Sequence, residues 1–229
     1  MHFVDVKGIL TGHGGYYGMN IYRGCTHGCI YCDSRSRCYQ FKHPFEDIEV
    51  KQNAPELLDA ALKSKKKKCM TLTTYDDDLC RILEPNVCNT KRRIEVLEEM
   101  QKRGIPTVVW LTPILPFIND TEDNITAILN ECVRVGVKGI IDFGMGLTLR
   151  EGDREYYYAA LDRHFPGMKE RYIKRYGNAY ELPSPDAKEL MGLLHKICKD
   201  NGILSSPDEC FGFIRELPDK YPQMSIFDL

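Results

Sequence analysis

Three cysteines lie within eight residues in "GCTHGCIYC": Cys25, Cys29 and Cys32. Thiolates are soft ligands that select zinc or iron–sulfur clusters. A structural zinc site wants four ligands, often two C-x2-C knuckles far apart in sequence. Here the spacing is C-x3-C-x2-C in one loop, and no second knuckle follows. Cys38 or His27 can serve as a fourth ligand, but neither gives a familiar zinc spacing. Three thiolates can instead bind three irons of a four-iron cluster and leave the fourth open, as a catalytic centre requires. Gly24 and Gly28 let the backbone wrap closely and point N–H groups at the sulfurs.

The elements that must position this loop are α/β in type. A strand fits residues 19–23, just before the cysteines, and a helix fits residues 54–65. "CMTLTT" (69–74) reads as a strand, followed by a short helix over 77–83 and a loop over 84–89. Thr90 can cap a helix to Arg103, stopped by Gly104 and Pro106. "PTVVWLT" (106–112) is a β-rich buried run. Asp120 can cap a helix on which Ile125, Ile128, Leu129, Cys132 and Val133 form one apolar stripe. "KGIIDF" (138–143) is another strand, and helices follow over 154–164, 166–176 and 184–199, the last with Ser184 as cap. About four strands, each followed by a helix, imply parallel pairing with right-handed crossovers. Ligands in such sheets gather at the carboxyl ends of the strands.

Composition narrows the class. The chain has 229 residues, a net charge of −2 and 43% apolar residues, which suits one ordinary globular domain. Nucleic-acid binding would need a local basic patch, such as "KSKKKK" (63–68) at the end of the first helix, unless that run is a solvated helix terminus. Neither a leader-type N-terminus nor an apolar run of about 18 residues is seen, so a cytoplasmic protein without a membrane span is expected. Ten cysteines in a reducing compartment point to metal binding, catalysis or burial rather than disulfides.

Cys25-x3-Cys29-x-Tyr31-Cys32 after a strand resembles the signature of the radical S-adenosylmethionine superfamily. The wider "NIYRGCTHGCIYCDSRS" resembles the branch of spore photoproduct lyase and the DNA repair photolyase-like proteins. "TLTTYDDDLCRILEPN", "RRIEVLEEMQKRGIPTVVWLTPILPFINDT" and "REYYYAALDRHFPGMKERYIKRYGNAYE" resemble later parts of that branch, so the likeness covers nearly the whole chain. It implies a [4Fe–4S] cluster on Cys25, Cys29 and Cys32. It also implies S-adenosylmethionine on the open iron, an external electron donor, and a 5′-deoxyadenosyl radical that abstracts hydrogen from substrate. By the same likeness Tyr31 packs near the adenine and Arg93 is a candidate partner for the cofactor carboxylate. Thr73, Thr74 and Thr112 are candidate wall residues. Cys38 and Cys69 are the weak candidates for a hydrogen-donating thiol. Tyr156, Tyr157 and Tyr158 could include a radical relay or a base-stacking platform, although three consecutive helix positions cannot share one face.

The resemblance also exposes a loss. Relatives carry two further β–α units between the first helix and the strand resembling "CMTLTT", at about 30 residues per βαβ unit. The fold expected is therefore a truncated, partial (β/α) TIM-type barrel. Its core would span residues 1–165 and a helical C-terminal region residues 166–229, in one domain. A homodimer could cover the exposed flank. The tail Gln223–Phe227 resembles a peptide that binds the replicative sliding clamp. Three functions remain open: a radical enzyme acting on nucleic acid or a related substrate, a degenerate iron–sulfur module without turnover, and a zinc-binding α/β domain.

Overall fold

The structure is a computed structural model and describes residues 1–7, 9–11, 18–55, 57 and 68–216. The lysine run but for Lys68, most of the helix expected over 54–65, and the tail Gln223–Phe227 lie outside the described residues. At the N-terminus, β1 (His2–Val4) pairs in parallel with β5 (Glu49–Lys51), which pairs antiparallel with β4 (Tyr22–Arg23). Two-residue strands β2 (Leu10–Thr11) and β3 (Gly18–Met19) form an antiparallel pair. The strand expected over 19–23 is thus two short pieces. The piece leading into the cysteines belongs to a mixed three-stranded sheet and not to the parallel one.

The parallel sheet has the order β6 (Lys68–Thr71), β7 (Thr107–Trp110), β8 (Gly139–Ile141). This sheet has three strands among the described residues, where a parallel run of about four was expected, and it forms no closed barrel. Helix α1 (Asp77–Leu83) and α2 (Thr90–Lys102) follow β6, and α3 (Glu122–Arg134) connects β7 to β8. After β8 come β9 (Gly146–Thr148), α4 (Asp153–His164), α5 (Met168–Tyr176) and β10 (Glu181–Pro183). The chain continues through α6 (Ala187–Asp200) and α7 (Pro207–Arg215). Strand β10 returns to pair antiparallel with β9.

Alternation along the strands decides which residues face which helices. Val109, Leu111 and Ile140 face one core with Ile94 and Leu97 of α2, Ile125, Ile128 and Leu129 of α3, and Leu190 and Leu194 of α6. Burying each of these Ile or Leu side chains is worth about 1.5–3 kcal/mol relative to exposure. Val108 and Ile141 point the other way, under Cys210, Phe211 and Ile214 of α7. The face that a closed barrel would turn inward is therefore covered here by the chain's own last described helix. The outer edge of β8 is also closed, since Ile140 N–H donates to Leu204 and Leu204 N–H to Lys138 (2.8 and 3.0 Å).

A second core joins Ile30 of the cysteine loop to Leu83, Leu115, Leu147, Tyr157, Leu161, Tyr172 and Leu182. Tyr157 is thereby a core residue whose hydroxyl donates to that of Tyr172 (2.9 Å), while Tyr156 lies under the Arg35 guanidinium. The three tyrosines form no common platform. Three helix caps also differ from expectation. Asn89 rather than Thr90 caps α2, Thr121 rather than Asp120 caps α3, and Asp186 occupies the cap of α6. Asp120 and Ser184 are instead buried together, with the Ser184 hydroxyl donating to the Asp120 carboxylate at 2.6 Å.

Candidate metal centre and adjoining cavity

The cysteine loop leaves β4 through Gly24, whose φ is +89°. A Cβ there would stand 2.5 Å from the Phe45 carbonyl oxygen, so glycine is required twice over. The same carbonyl accepts the Cys25 N–H at 3.0 Å. On the other flank Asn86 clamps the loop. Its side-chain amide donates to the carbonyls of Thr26 and His27, each at 3.1 Å, and its backbone N–H donates to His27 at 3.2 Å. Ile30 N–H donates to Leu83 (3.2 Å), and the Ile30 side chain enters the second core. The loop is thus held from both sides before any ligand binds.

Cys25, Cys29 and Cys32 are free and partly buried, and His27 N–H points at the Cys25 Sγ from 3.4 Å. Burial first, then Glu84 and the other two thiols, push Cys29 up to about 12, with Arg93 opposing. Burial also pushes Cys32 up. Three partly buried thiolates on one short loop need a cation to hold them charged. Among the described residues, the sulfurs do not all fall within 4.8 Å of one another. Three soft thiol donors on one loop, with an inward N–H beside Cys25, are a donor set that an iron–sulfur cluster or a zinc ion can use.

Beside the loop lies a cavity of about 700 Å3. Its walls include Tyr31, Cys32 and Asp33 from the loop, Thr112 after β7, and Phe143 and Gly144 after β8. It opens at the carboxyl ends of two parallel strands and falls in the size range of small-molecule sites. Thr112 is the one candidate wall threonine that lines it. Thr73 and Thr74 lie one layer deeper, both buried, where Asn119 donates to the Thr73 carbonyl and the Thr74 hydroxyl, each at 3.0 Å.

Tyr31 and Arg93 meet on a residue that sequence reasoning missed. The Tyr31 hydroxyl donates to Glu84 Oε1, and Arg93 Nη2 pairs with Glu84 Oε2. Arg93 Nη1 also donates to the Thr71 carbonyl at 3.2 Å. Burial and the adjacent carboxylate push the Tyr31 phenol up, so it stays a donor. Arg93 is thus paired with a buried carboxylate of the chain itself. The signal was present in "EPN": a glutamate just past a helix end, nine residues before an arginine.

The two candidate thiol donors differ. Cys69 is exposed and sits near the amino end of β6, away from the end where the cavity opens. Its expected approach to the loop or to the carboxyl strand ends is not made. Cys38 is exposed and accepts from Arg150 Nη1 at 3.3 Å. Arg150 in turn bonds the cavity residues Tyr180 (3.0 Å) and Asp33 (3.4 Å), which puts Cys38 at the cavity's rim.

No family model matches the chain. It is similar to the uncharacterized protein Mb2609c of Mycobacterium bovis and to the uncharacterized protein Rv2578c of Mycobacterium tuberculosis. Each is 24% identical over 142 residues, covering 62% of this chain and 41% of the relative. The match therefore spans about two fifths of the length of these curated relatives. Among the described residues, no helix is long and apolar enough to cross a membrane.

Proposed function

We propose that this chain is a radical S-adenosylmethionine enzyme of the kind its cysteine motif resembles. Cys25, Cys29 and Cys32 would hold a [4Fe–4S] cluster, and S-adenosylmethionine would lie in the adjoining cavity. The observation that carries this reading is the cavity of about 700 Å3 bordered by Cys32 at the carboxyl ends of β7 and β8. On the same reading the three-stranded sheet is the remnant of a (β/α) TIM-type barrel. An external electron donor and a nucleic-acid substrate complete the proposal and rest on the motif's resemblance alone.

When bound, the cluster and S-adenosylmethionine supply reductive sulfonium cleavage and hydrogen-atom abstraction. The chain's own residues do the positioning. Glu84 fixes the Tyr31 hydroxyl, which sets the ring as a cavity wall. Phe143, Met145, Leu147 and Leu182 give the cavity an apolar lining. Arg150, tied to Asp33 and Tyr180 at the rim, offers an anionic group the guanidinium that Arg93 does not.

Anaerobic reconstitution with iron and sulfide, followed by dithionite and S-adenosylmethionine, tests the proposal. The expected result is a brown protein that forms 5′-deoxyadenosine, with both properties lost in a Cys25→Ser, Cys29→Ser, Cys32→Ser variant. A cluster-holding module without turnover is the second reading, favoured by the commitment of Arg93 to Glu84. Iron bound with no 5′-deoxyadenosine selects that module and sinks the enzyme. A colourless protein that retains zinc sinks both.

A further inference from the structure

The geometry points to a second metal site, for a borderline divalent cation such as Zn2+, formed by His2, His43 and Glu49. It shares no ligand with the cysteine loop. Among the described residues, this is the one group of three His, Cys, Asp or Glu side chains whose ligating atoms all lie within 4.8 Å of one another. His2 and Glu49 are direct register partners across the parallel β1–β5 pair, so their side chains leave the same face. Glu49 Oε1 stands 2.9 Å from His43 Nε2 and 4.0 Å from His2 Nε2. The two imidazoles meet edge to face, with centroids 5.3 Å apart.

The outer ring nitrogens carry the argument further. His43 Nδ1 lies 3.0 Å from the Pro44 carbonyl, which can only accept, so Nδ1 holds the proton. The Nε2 that faces Glu49 then has a free lone pair beside a carboxylate oxygen. At 2.9 Å the nitrogen and the carboxylate oxygen either share a proton or, once it is lost, turn together onto a metal ion beside them. His2 Nδ1 likewise stands 3.4 Å from Asp47 Oδ2. A histidine whose outer nitrogen is oriented by a carbonyl or carboxylate is the arrangement that metal-binding histidines use. Two imidazoles and one carboxylate select a borderline transition cation over calcium or magnesium. Arg23 Nη1 is a competing cation near Glu49, at 4.0 Å. Its side chain is drawn aside, donating to the Tyr39 carbonyl at 3.1 Å and lying over the Phe41 ring.

The site would brace the cysteine loop. Its ligands bracket Phe45, whose carbonyl takes the Cys25 N–H and abuts Gly24. Cobalt titration followed by absorption separates the two centres, because imidazole and carboxylate ligands give visible d–d bands without thiolate charge transfer. In the Cys25→Ser, Cys29→Ser, Cys32→Ser variant, one Co2+ should bind with that signature. Adding Glu49→Gln, His43→Ala or His2→Ala should weaken it about 100-fold or more, since even outer-shell changes cost 10–100-fold. The parent chain gives a second measurement that needs no cysteine change. Its total Co2+ stoichiometry should fall by one in each ligand variant, with unchanged circular dichroism. No uptake by the serine variant with native circular dichroism, or a parent stoichiometry indifferent to all three ligand changes, overturns the site.

Discussion

Replacing Arg93 by leucine tests the buried pair that positions Tyr31. Both members are nearly out of solvent, with Glu84 6% and Arg93 7% exposed. Removing one partner of such a pair costs about 3–5 kcal/mol, mostly because the other charge is left buried and unpaired. The Arg93→Leu variant should lose that amount in urea unfolding at pH 7. Glu84→Gln leaves a buried guanidinium that cannot shed its charge, so it should cost a similar amount. The double variant should recover most of the loss, because the introduced glutamine still accepts from Tyr31 and no bare charge remains. A single-variant cost below about 1 kcal/mol, or a double variant no more stable than either single, would refute the argument.

Asp153 predicts a pH dependence in the parent chain itself. Both its carboxylate oxygens are buried without a hydrogen-bond partner, and burial, then Asp33, push its pKa from 3.8 to about 7. Its raised value in the folded state contributes stability that is fully present below pH 3.8 and is lost as pH rises through about 7. Asp153→Asn should flatten that part of the profile and be more stable than the parent at pH 8, by about 1–3 kcal/mol in urea unfolding; equal stability at pH 8 refutes it. Gly24→Ala places a Cβ 2.5 Å from the Phe45 oxygen at a φ of +89°. It should reduce iron uptake on reconstitution to a small fraction of the parent's while leaving far-ultraviolet circular dichroism close to native, and uptake equal to the parent's counts against the loop geometry.

The parts that could be read before folding were those governed by local periodicity. The apolar stripe from Ile125 to Cys132 became α3, and "DDLCRIL" became α1 with the expected bounds. The runs "TVVW" and "GII" became adjacent parallel strands. Short pieces were the difficulty. The β9–β10 hairpin pairs residues 146–148 with 181–183, across two helices, and neither three-residue strand carries a readable alternation. Helix α7 falls in the C-terminal region expected to be helical, and Ser206 and Pro207 mark its start, but its bounds were not read. Its position decides the architecture, because it lies on the face of β7 and β8 that a barrel would close.

At the candidate site the division is similar. Sequence alone determined the three thiols, their grouping on one loop and the two glycines that let the loop turn, because ligand type and spacing are local properties. Tertiary structure decided what surrounds them. Glu84 and Arg93 look like ordinary charged residues until folding buries them together and forces each to be the other's partner. His2 is far along the chain from His43 and Glu49 and meets them only because β1 pairs with β5 in register. Burial, which sets the cost of an unpaired charge, and register, which sets who stands opposite whom, belong to the folded chain and are written in no short stretch of it.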